Sequence, residues 1–114
     1  MFRKIVLSGA VALMAVAAPS LAGAESPQDL AWCKGDGNPT PERQISGCTA
    51  LIEAGASQGR DLALSHFRRA AAYLKRQDYD SAIHDFGEGL ALDPNNATAF
   101  YGRGIAYEAK SDPE

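Results

Sequence analysis

Residues 63–110 read ALSHFRRAAAYLKRQDYDSAIHDFGEGLALDPNNATAFYGRGIAYEAK, and the pattern that opens at Ala63 opens again 34 positions later at Ala97. The offset pairs Arg69 with Arg103, Ala72 with Ala106, Tyr73 with Tyr107 and Asp78 with Asp112. Phe67 then faces Tyr101, and Arg76 faces Lys110. Each unit has an apolar helix pattern, a polar break and a second apolar helix pattern. A period of this length made of two helices is what a stacked helix-turn-helix array requires. The spacing predicts a helix over about 61–75, one from the Asp78 cap to about Leu92, and one over 97–110. Pro94 stops the second, and Asn95 and Asn96 supply the turn and the next cap.

These residues resemble the tetratricopeptide repeat. Ala70, Tyr73, Ala82, Phe86 and Pro94 fall at the family's positions 8, 11, 20, 24 and 32, and Gly104 and Tyr107 carry the motif into a second, partial unit. Two residues depart from the pattern: Gly89, where the family prefers Ala or Ser, and His66, where a large apolar residue is usual. The resemblance covers 63–112. It implies an all-α, antiparallel helix-turn-helix array of about one and a half repeats, with small Ala70 opposite Ala82 and with Tyr73 and Phe86 filling the gap between helices. It also implies a groove lined by Leu64, Phe67, Ala71, Leu74 and Lys75, then Thr98, Tyr101, Ile105, Glu108 and Ala109. A subset of the family grips a peptide's terminal carboxylate with Lys and Asn in these places, and apart from Lys75 this chain has neither. An apolar peptide or helix is therefore the expected ligand, unless neighbouring helices cover Phe67, Leu74 and Ile105.

Working outward, the amino terminus has the composition of a secretory signal. Arg3 and Lys4 precede an apolar run from Ile5 to Ala18, Pro19 breaks it, and Ala22-Gly23-Ala24 offers small residues at a cleavage site. At about 14 residues the run is too short to span roughly 30 Å of hydrocarbon as an anchor. Cleavage after Ala24 and a periplasmic or secreted location are expected, with no membrane association afterwards. Without Arg3 and Lys4, the 11 Lys+Arg of the chain fall to 9 against 14 Asp+Glu, a formal charge of −5. No basic run interleaved with aromatics remains, so nucleic acid is not an expected partner.

Between the signal and the repeat lies 25–62, expected as an N-terminal helical segment holding both cysteines. Ser26-Pro27 and Thr40-Pro41 each read as a cap followed by proline at the first helical position, which opens a helix to about Cys33 and another to about Ala54. The second buries Ile45, Cys48, Leu51 and Ile52, and reads as a degenerate half-repeat covering the open end of the array. Gly55 and Gly59 are expected to end it. In an oxidising compartment Cys33 and Cys48 are expected to form a structural disulfide, with two free thiols or a metal or redox pair as the alternatives. The domain plan is thus 1–24 signal peptide, 25–62 helical segment, 63–96 first repeat and 97–114 partial second repeat.

Chemistry is harder to find. Asp36-Gly37-Asn38 starts like a calcium loop, but Gly47 stands where the closing Glu would be. Gly102-Arg103-Gly104 is half of a dinucleotide fingerprint with no strand before it. Asn96-Ala97-Thr98 fits a glycosylation sequon inside a helix cap. His66 and His84 are expected on helix surfaces or in partly buried polar pockets. No catalytic residue, metal or cofactor is expected. The expected function is protein or peptide binding, with self-association through the 97–110 helix. An accessory or carbohydrate-active domain of a periplasmic enzyme system is the rival reading. The start signal at Ser111-Asp112-Pro113 also allows a fragment of a longer repeat protein, one with no function of its own included.

Overall fold

Residues 26–112 are described by the computed structural model, so the expected signal peptide at 1–24 lies outside them, as do Glu25, Pro113 and Glu114. Five α-helices follow in order: α1 (Pro27–Lys34), α2 (Pro41–Ala54), α3 (Gly59–Lys75), α4 (Tyr79–Leu92) and α5 (Ala97–Ser111). Four of the five starts are chemically capped. The side chains of Ser26, Thr40, Asp78 and Asn96 accept from the backbone N–H of Asp29, Arg43, Ser81 and Ala99. Each satisfies a donor that the first helical turn leaves without a partner. Gly35 at φ 87° and Gly55 at φ 68° end α1 and α2 in the left-handed conformation that glycine adopts without a Cβ clash. Two boundaries differ from expectation. Gly59 opens α3 two residues ahead of Asp61, and Ser111 extends α5 one residue past Lys110.

Consecutive helices pack against one another, α3 and α4 most extensively. α1 also touches α3, and α3 touches α5, whereas α2 and α4 do not meet. The array therefore has two rows, with α1, α3 and α5 along one side. This arrangement changes the reading of the N-terminal segment. α2 is not a lone half-repeat: it pairs with α1, so the segment is a helix-turn-helix unit in its own right.

The main core is Ala70, Ala82, Phe86, Leu90, Ala99 and Ala106, with Phe67, Tyr73, Leu74 and Ile83 packed against it. Ala70 and Ala82 are fully buried, as expected for two backbones in close approach. Gly89 departs from the family pattern for a steric reason: a Cβ there would run into the ring of Phe67. Phe67 in turn stacks obliquely on Phe86, with ring centroids 6.5 Å apart. Replacing Ala82 by Leu is expected to overpack this site and cost about 1–3 kcal/mol. Lys75→Ala, on an exposed residue, should stay within roughly 0.5 kcal/mol. Thermal melts of the two variants check this, and equal losses would contradict the register.

A second, smaller core holds the N-terminal unit. It consists of Cys33, Cys48 and Leu51, all buried, and the two cysteines are joined in a disulfide. Gly47 lets α1 lie close, since a Cβ at that position would meet the carbonyl oxygen of Asp29 and the Cβ of Trp32.

Candidate binding groove

α3 and α5 diverge enough to leave a concavity of about 420 Å³ between them. Leu64, Phe67, Ala71 and Leu74 line it from α3, and Thr98, Ala99, Tyr101 and Gly102 from α5, with Phe86 at its floor. The spacing on α3 explains the wall, because residues three and four apart share one helix face. Four of the α3 residues expected in the groove are thus brought together with Tyr101. Four others are not. Lys75 is exposed in the last turn of α3, outside the groove lining, Ile105 and Glu108 lie in a neighbouring depression with Tyr101 and Gly104, and Ala109 lines neither concavity.

Burial divides the set further. Leu64 and Tyr101 are 41% and 73% exposed, so their apolar surface faces the opening. Phe67 and Leu74 are half-buried and serve the core as well as the groove. Gly104 is exposed with open space around its Cα, and Tyr107 is exposed too, unlike their first-unit counterparts Ala70 and Tyr73. Pro94 sits exposed in the turn after α4.

A buried polar cluster was not foreseen from the sequence. Asp85 on α4 is 1% exposed, and Arg69 on α3 grips it with two hydrogen bonds, Nε to Oδ2 at 2.6 Å and NH2 to Oδ1 at 2.7 Å. His66, one turn before Arg69, places Nδ1 3.0 Å from Oδ1, and since a carboxylate only accepts, that nitrogen carries the proton. Arg69 also donates to Thr49 of α2 at 3.1 Å, so the cluster ties three helices. Burial works against the Asp85 charge, but hydrogen bonds from Arg69 and then His66 outweigh it and hold the carboxyl below its usual range. This explains the second departure from the family pattern, since His66 replaces an apolar contact by a hydrogen bond. His84, by contrast, is exposed and lies 3.8 Å from Glu88 one turn along α4. No cluster of His, Cys, Asp and Glu among the described residues is placed to hold a metal ion.

Residues 61–111 match the family model for the TPR repeat. No curated protein and no solved structure matches the chain. The all-helical architecture and the matched segment together make this part of the chain a tetratricopeptide repeat. A repeat of this family is a protein–protein interaction module, typically non-catalytic, and its partners are proteins or peptides. No helix among the described residues is long and apolar enough to cross a membrane.

Proposed function

We propose that the chain acts in the periplasm or as a secreted protein, holding a peptide or partner helix in the groove between α3 and α5. One observation carries the reading: Leu64 on α3 and Tyr101 on α5 line the same apolar concavity while both keep exposed surface. Apolar side chains in such a position offer a partner helix anchors that need no rearrangement of the fold. The signal-like residues 1–24 and the disulfide support the location. The formal charge, −3 for the full sequence and −5 once residues 1–24 are removed, disfavours nucleic acid. The first full unit is counted from Ala63 to Asn96, and α5 opens the second. Affinity capture from a periplasmic extract tests the proposal. Tyr101→Glu should abolish capture of partners that the unaltered chain and His84→Glu both retain. Equal capture by all three would contradict it.

A second reading rests on the outer surface of α5, where Phe100 and Tyr107 are about half exposed, at 47% and 52%. Clustered apolar surface of this kind marks association sites. The expected outcome is a self-associating chain that Tyr107→Glu disperses. Sedimentation showing a folded monomer at high micromolar concentration, unchanged by the substitution, would contradict self-association.

A further inference from the structure

A second concavity, of about 240 Å³, lies on the other side of Leu64, between α1 and α3. Leu30, Leu51 and Leu64 give it apolar walls, and Lys34 and Arg68 add two cations. Lys34 stands in the last turn of α1, and Arg68 follows Leu64 by one turn on α3. Neither forms an ion pair among the described residues, whereas Arg69, Arg76 and Lys110 each have a carboxylate partner. Asp61 lines the same concavity from the first turn of α3, a position the helix dipole favours for a carboxylate, yet it reaches neither cation within ion-pair distance. Two uncommitted cations against one carboxylate leave this end of the face positive, although the chain as a whole is acidic.

Because both concavities share Leu64, they are adjoining parts of one face running across α1, α3 and α5. We propose that this face takes a peptide segment carrying an acidic side chain beside apolar ones. The apolar residues seat between α3 and α5, and the carboxylate seats between Lys34 and Arg68. The proposal rests on the groove reading above and adds the partner's charge and the role of α1. Arg68 supplies a planar donor fork that fits a carboxylate, and Lys34 supplies a second, mobile donor from the facing helix. The disulfide-tied helix pair is then a wall of the binding face as well as a cover for the end of the repeat.

The test uses the oxidised full chain and a phage-displayed random peptide library, with recovered peptides resynthesised and titrated by fluorescence anisotropy. Recovered sequences should be enriched in Asp or Glu next to apolar residues, and their affinity should fall as salt is raised. The double variant Lys34→Glu, Arg68→Glu should weaken them by about tenfold or more. Changing the peptide's acidic residue to Lys should restore binding to that variant. If the charge-reversed chain does not fold, Lys34→Gln with Arg68→Gln replaces it, and a smaller loss in the same direction is expected. Peptides without acidic residues, or binding indifferent to these substitutions but lost in Tyr101→Glu, would overturn the charged end and leave the groove standing. Failure to recover any peptide, or recovery insensitive to Tyr101→Glu, would overturn both. A chain that binds only a second copy of itself on this face overturns the proposal as well.

Discussion

Asp85→Ala is expected to lower the unfolding free energy by about 3–5 kcal/mol, the usual cost of removing one partner of a buried ion pair. The substitution leaves the Arg69 guanidinium with 17% of its side chain exposed, no carboxylate, and only Thr49 as an acceptor. It also removes the acceptor for His66. A chain of this size has a total stability of only about 5–15 kcal/mol, so the loss should be large in a denaturant melt. Acid should reach the same end. A carboxyl depressed below its ordinary 3.8 contributes stability that is fully present above that value and is lost as pH falls through its folded pKa. The unaltered chain should therefore weaken below about pH 4, and Asp85→Ala should show a shallower acid dependence. A loss under about 1 kcal/mol would mean that Arg69 swings out to water at little cost.

Cys48→Ala is the second large expected effect, at about 2–4 kcal/mol. The bond closes a loop with a sequence separation of 15, for which chain entropy alone accounts for about 3 kcal/mol. It also forms most of the core between α1 and α2, where Leu51 is the other buried member. The denaturant midpoint should fall, and amide exchange should rise first across α1. Full reaction of the untreated protein with a thiol reagent, before any reductant, would contradict the bond itself.

Much of this architecture is legible in the chain because its punctuation is local. Ser26-Pro27, Thr40-Pro41, Asp78 and Asn96 mark helix starts through their own side chains, and the structure places the caps there. The repeat period likewise carries Ala70, Ala82 and Phe86 into the core. What escapes is assembled across helices. The Asp85 cluster draws on α2, α3 and α4, and its one signal in the sequence is position. Asp85 falls on the same stripe as Ala82, Phe86 and Gly89, where a lone carboxylate must find a partner. The wall that α1 contributes was hidden for a similar reason. It depends on the close approach at Gly47 and on the packing of α1 against α3, which no local signal marks. Lys75 was placed in the groove by its repeat position, yet the last turn of α3 carries it beyond the concavity.

Site-specific photocross-linking tests the central claim most directly. A photoreactive residue is placed at Leu64, at Tyr101 or at His84, and the three full-length chains are irradiated in periplasmic extract. Leu64 and Tyr101 line the groove, whereas His84 is exposed elsewhere on α4. The groove positions should give the same discrete adduct, competed away by unlabelled chain, and His84 should give none. Adducts confined to His84, or of equal yield at all three positions, would contradict binding through the groove.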